Sequence, residues 1–261
     1  MTRRATMIKS LKAENPNVLV LDAGNSLFGD QPYSQESQGR TSIESMNMLG
    51  YDAMTLGLGD LQMGLGVLRE RMKEAKFPFL SANLVVGGGN ELIGTAYIVR
   101  QVAGHQVGII GLTERGQTAG VTVLDPISVA KQIVPEVVRQ ADIVILLTHL
   151  RVSEARRIAT EVLGIDVIVC GNTEGMAEGQ MVGETLLVHA EVPTTGHAGR
   201  MLGVVHAKFD AQGKLSQQTN SVIPLQESIS EDPEMSAWLK NVMMAPPVLS
   251  TGGSFATPVI R

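Results

Sequence analysis

Four turns of this 261-residue chain carry the side chains whose types and spacing could do chemistry. Asp22-Ala23-Gly24-Asn25 follows the apolar run Val18–Leu21, and Gly57-Leu58-Gly59-Asp60 follows Ala53–Leu56. Thr148-His149 ends the run Ile143–Leu147, and Gly171-Asn172-Thr173-Glu174 follows Val167–Cys170. In α/β proteins ligands gather outside the carboxyl ends of strands, so side chains on such turns can meet. If these four converge, the imidazole of His149 and the carboxylates of Asp60 and Glu174 could hold one divalent ion with open positions. Each residue also has a plainer reading, and the residues favour it. His149, alone at the end of a buried strand, suits a hydrogen-bonded structural imidazole. Asp22 suits a brace of its own turn, because Asp side chains accept from backbone N–H groups nearby. Gly24, Gly57 and Gly171 suit tight turns better than a phosphate cradle.

The elements that must position these turns follow from hydrophobic period. Apolar bursts alternate with helical spacing, the pattern of sheets covered by helices. Helices are expected over 3–13, 42–49, 65–75, 127–140, 153–163 and from 231 through Trp238. Strands are expected over 17–22, 53–56, 79–84, 142–149 and 167–170, the first apolar on both faces and therefore central, the fourth the strongest buried-strand signal. Residues 97–102 and 106–112 read as a hairpin turned at Ala103-Gly104. Beyond 185 the pattern changes to strands over 185–192, 200–210 and 214–225, a second sheet or antiparallel edge, with a turn at Ala211-Gln212-Gly213. One domain over 1–243 and a linker or tail over 244–261, rich in Pro and Gly, is the economical division.

Composition excludes several classes. Hydrophobic residues are 44% and charged residues 18%, so the chain is globular material. A net charge of −5 without a basic cluster, and only 3% aromatic residues, argue against nucleic acid as a partner. Cys170 is the only cysteine, which rules out an internal disulfide and a thiolate cluster. No apolar stretch is long enough to span a membrane, and the amino terminus has no apolar segment of the signal-peptide kind.

The same four turns, with the stretches between them, resemble the calcineurin-like metallophosphoesterase superfamily in its 5′-nucleotidase and UDP-sugar hydrolase branch. The resemblance runs from Arg3-Arg4-Ala5-Thr6 to about Asp232-Pro233. It is carried by Asn47–Gly57, Phe79–Asn83, Val107–Thr113, Gly164–Ile168 and Gly199–Gly203, in family order and spacing. It implies a four-layer α/β/β/α sandwich. It also implies a two-metal site, and there this sequence departs from the family. The family's Asp-Ala-Gly-Asp ends here in Asn25, where the last Asp bridges two metals. Its Gly-Asn-His-Glu is replaced by Gly57-Leu58-Gly59-Asp60, so Leu58 stands for a ligand and Gly59 for the catalytic His. Its Gly-His-Thr-His becomes Gly171-Asn172-Thr173-Glu174. Among the recognised ligands His149 alone is unchanged. The family's first-strand Asp-x-His precedes the segment at which this chain starts, so that strand is expected to be missing here unless a longer polypeptide supplies it.

Charge decides what those replacements imply. Two dications about 3.5–4 Å apart need a bridging anion and further anionic or imidazole ligands. A carboxamide is a poor bridge for such ions, and Leu58 has no lone pair to offer. The expectation is a catalytically degenerate homologue serving as a binding or structural module, with no cofactor. The competing expectation is a metal-dependent phosphoester hydrolase with a rebuilt or single-metal site using Zn, Mn or Mg. Partner and ligand stay open, including membership of a complex. By resemblance the location is extracytoplasmic.

Overall fold

The computed structural model describes residues 1–29, 32–172, 179–190 and 200–244. Two stacked sheets form its centre. The first is parallel and contains β1 (Leu21–Asp22), β2 (Ala53–Thr55) and β3 (Phe79–Leu80), in that order. A short antiparallel pair, β4 (Leu84–Val86) with β7 (Val121–Val123), lies apart from it. The second has six strands, ordered β10 (Gln180–Val182), β11 (Thr185–His189), β9 (Val167–Asn172), β8 (Ile143–Arg151), β6 (His105–Thr113) and β5 (Tyr97–Val102). Its four inner strands run parallel, and β10 and β5 close the two edges antiparallel.

Period-two alternation explains how the layers stack. On β6 and β8, Val107, Ile109, Ile143 and Leu147 face Ala53 and Leu80 of the first sheet. The intervening Ile110, Val144 and Leu146 turn the other way, under α5 (Pro126–Val138) and α6 (Val152–Glu161). The first sheet packs Met54, Leu56 and Phe79 against residues of α1 (Thr2–Glu14), α3 (Arg40–Leu49) and α4 (Gly64–Glu74). The layering is therefore α/β/β/α. A short helix, α2 (Pro32–Glu36), precedes α3. A hairpin of β12 (Met201–Phe209) and β13 (Leu215–Pro224) and a last helix, α7 (Pro233–Met244), complete the chain. Lys9 ties α1 to the start of α7 through Asp232 and Glu234, at 2.7 and 2.9 Å.

Two expected strands come out differently, each for a local reason. The run over 17–22, expected to be a central strand, pairs only at Leu21–Asp22 and at one edge of its sheet. One residue earlier the ladder is continued by Asp52, whose carboxylate accepts from the Val20 N–H at 2.8 Å while its own N–H donates to the Val20 carbonyl. The strand expected over 79–84 breaks after Leu80, because Asn83 behaves as a peptide group of the neighbouring sheet. It accepts from the Thr113 N–H and donates to the carbonyls of Thr113 and Leu124. Of the late strands only β12–β13 stand apart as a separate antiparallel pair; β11, expected in a second sheet or at an antiparallel edge, instead joins the six-stranded sheet in parallel, inside the edge strand β10. The Ala103-Gly104 turn is present, both residues at positive φ (51° and 89°). The tail expected over 244–261 lies, from 245 onward, outside the described residues. Among the described residues no helix is long and apolar enough to cross a membrane.

Gly111 marks where the sheets approach most tightly: a Cβ there would stand 2.5 Å from Leu80 atoms. Gly111→Ala should lower the urea midpoint by the equivalent of roughly 1–3 kcal/mol, the usual cost of overpacking, with an unchanged slope. An unchanged midpoint would mean that the two layers slide freely at this point.

Candidate functional site

Strand alternation delivers the central side chain. Ile143, Ile145 and Leu147 face the first sheet, and His149, next in that series, emerges at the carboxyl end of β8 opposite the turn after β1. It is buried, at 9% exposure, and both ring nitrogens are bonded. Nδ1 lies 2.8 Å from the Ala23 carbonyl and Nε2 lies 2.7 Å from Asn25 Nδ2. A carbonyl can only accept, so Nδ1 carries the hydrogen and Nε2 accepts from the Asn25 amide. The other end of that amide, Oδ1, accepts from the Gly59 N–H at 2.7 Å. An N–H can only donate, which fixes the amide orientation independently. One directional chain of hydrogen bonds thus joins the turn after β2, the turn after β1 and the end of β8.

Backbone conformation and space make this possible. Asn25 sits at φ 59°, a left-handed conformation that Asn tolerates better than most residues. Gly57 and Gly59 leave room for its carboxamide: a Cβ at these positions would fall 2.2 and 2.7 Å from Oδ1. Gly171 does the same for His149, since a Cβ there would lie 2.2 Å from the Ala23 carbonyl oxygen and 2.5 Å from Nδ1. These three glycines are therefore required by contact; none has a positive φ, so the tight-turn role expected for Gly57 and Gly171 is not what demands them.

The two nearby carboxylates have their own donors. Asp22 accepts from the Gly24 N–H at 3.0 Å and the Ser26 hydroxyl at 2.9 Å, bracing its own turn. Asp60 lies in a short 3-10 turn over Leu58–Leu61 and is buried. It accepts from the N–H groups of Asn25 (2.7 Å), Leu27 (3.0 Å) and Gly57 (3.0 Å). Burial raises the proton affinity of both, that of Asp60 to a pKa of about 6 in spite of its three donors.

The remaining positions spread out. Leu58 donates its N–H to Glu114 at 3.1 Å and packs its side chain among the core residues next to Gly116. Asn172 ends β9 opposite Arg151, across a register irregularity. Glu174 lies outside the described residues, and with it the grouping of Asp60, His149 and Glu174. Among the described residues no group of three or more His, Cys, Asp or Glu side chains is arranged as a metal cluster. Cys170 is buried, its thiol pushed up to about 12 by desolvation. His189, at the carboxyl end of β11, is buried, and among the described residues neither ring nitrogen has a hydrogen-bond partner.

Glu114 is the residue that sequence reasoning missed. It follows Thr113 directly at the end of β6 and so met the same carboxyl-end criterion as the four turns. One of its oxygens holds the Leu58 turn, and the other is buried without a partner among the described residues.

No family model matches the chain. A snake venom 5′-nucleotidase from Naja atra is 32% identical over 264 residues, covering 91% of this chain and 50% of that protein. Among solved structures, a 5′-nucleotidase precursor from Thermus thermophilus superposes with a TM-score of 0.79 at 27% identity, covering 93% of this chain and 53% of that one. The sulfate thiohydrolase SoxB from the same organism reaches 0.83 at 21% identity, covering 93% and 46%. That last likeness is one of fold. The chain spans about half the length of the curated relatives it matches.

The raised pKa of Asp60 gives a signed pH effect. The folded carboxyl keeps its proton to higher pH than the unfolded one, so its contribution to stability is full below about pH 4 and is lost as pH rises through about 6. Two pKa units correspond to roughly 3 kcal/mol. Asp60→Asn should be less stable at every pH, because an amide cannot accept from three N–H groups, yet its stability should fall less between pH 4 and 7. Equal slopes in parallel urea titrations of the two proteins would rule out Asp60 as the titrating group.

Proposed function

This chain belongs to the calcineurin-like metallophosphoesterase superfamily, in its 5′-nucleotidase branch, and we propose that it is a catalytically degenerate member acting as a binding or structural module. The observation that carries this reading is the hydrogen bond between Asn25 and His149. His149 is the one side chain at the four turns that matches the family's ligand set unchanged. Its Nε2 lone pair, the one a cation would need, already accepts from Asn25.

The neighbouring groups fit a pair of dications poorly. Asn25 and Asn172 are neutral, Leu58 and Gly59 offer no side-chain donor atom, and the carboxylates of Asp22 and Asp60 are engaged by hydrogen-bond donors. Metal chemistry in such a site requires anionic or imidazole ligands to offset two adjacent positive charges. Extracytoplasmic placement is part of the proposal, carried over from relatives such as the snake venom protein.

Purified protein should hold no stoichiometric zinc, manganese or magnesium by elemental analysis and should not turn over aryl phosphates or nucleotides above a buffer blank. Stoichiometric manganese or zinc together with turnover abolished by His149→Ala would overturn the proposal. It would establish instead a metal-dependent phosphoester hydrolase with a rebuilt site.

A further inference from the structure

We infer that Asn25 is a positioning residue that fixes His149 in its Nδ1-protonated form and covers Nε2, so that an internal carboxamide bridge organises the crevice in place of an ion. This deepens the reading just given and rests on it, but it concerns the state of one imidazole and can fail separately.

Three observations carry it. First, the donor and acceptor sense is fixed from both ends. The Gly59 N–H must donate to Asn25 Oδ1 and the Ala23 carbonyl must accept from His149 Nδ1. The amide NH2 and the bare Nε2 are then left facing each other at 2.7 Å, the one pairing in which each group is satisfied. Second, Asn25 is exposed while His149 is buried. The carboxamide is therefore the group an incoming cation or ligand must displace to reach Nε2. Third, the surroundings are shaped to the carboxamide: a Cβ on Gly57 or Gly59 would collide with its oxygen, and the Asn25 N–H is itself held by Asp60 at 2.7 Å. Backbone and side chain of one residue thus join three strand ends. A residue that only needed a left-handed backbone could have been glycine.

That comparison supplies the test. Asn25→Gly keeps the positive φ without strain and deletes only the carboxamide. Nitrogen NMR of the histidine rings in the full chain reads tautomer and occupancy directly. In the natural protein His149 should show a protonated Nδ1 and an unprotonated Nε2, and neither signal should move with excess zinc or with a chelator. In Asn25→Gly the Nε2 signal should shift on zinc addition, which a merely structural asparagine would not cause. An Nε2-protonated ring in the natural protein, a zinc-induced Nε2 shift there, or a zinc-insensitive ring in a folded Asn25→Gly would each overturn the inference. If the variant fails to fold, the spectrum of the natural protein alone decides. Zinc on Nε2 without turnover would sink this inference and spare the functional proposal. Turnover with a zinc-insensitive His149 would do the reverse.

Discussion

The hydrogen-bond chain from Gly59 through Asn25 and His149 to Ala23 is the constraint on which the rest of the crevice depends. It links the turn after β2, the turn after β1 and the end of β8 with groups that are each donor or acceptor in one sense only. Aligned bonds of this kind polarise one another, and removing one leaves its neighbours unsatisfied. The glycines at 24, 57, 59 and 171 follow from it. At each, a Cβ would come within 2.8 Å of the backbone or of a side chain in this bonded cluster.

The layered α/β/β/α architecture was legible in the sequence because two periods were written strongly. The strand from 142 to 149 is apolar on both faces, and it lies in the middle of the six-stranded sheet under α5 and α6. The helices over 2–14, 64–74 and 126–138 begin and end within a few residues of their expected limits. Less legible were places where a side chain stands in for backbone. Nothing in the apolar run over 17–22 announces that the carboxylate of Asp52 will take over the ladder at Val20. Nothing in Ser81-Ala82-Asn83 announces that the Asn83 amide will bond to both backbone groups of Thr113. Such substitutions depend on contacts from 30 or more positions away, so a local pattern cannot carry them.

The crevice divides in the same way. Its positions were readable, since strand ends follow from period and punctuation. Its bonding was not, because the partners of Asn25 lie 34 and 124 positions along the chain. Glu114 illustrates a different gap. The rule that ligands gather at strand ends applies equally to Thr113-Glu114. The structure gives Glu114 a defined task, holding the Leu58 N–H, and with it the short 3-10 turn that presents Gly59 to Asn25.

Charge balance explains why a neutral residue at position 25 suits this arrangement. Two acidic side chains lie close by, and burial already raises the proton affinity of both. Their negative charge is met by fixed donors: the Gly24 N–H and Ser26 hydroxyl on Asp22, and the N–H groups of Asn25, Leu27 and Gly57 on Asp60. The positive charge of Arg4 adds to the field at Asp22. A third anion in the same turn would raise the repulsion between like charges and would call for a cation to offset it. A carboxamide adds no charge, satisfies Gly59 with its oxygen and serves His149 with its NH2. The additional electrostatic demand that a carboxylate at this position would create is absent.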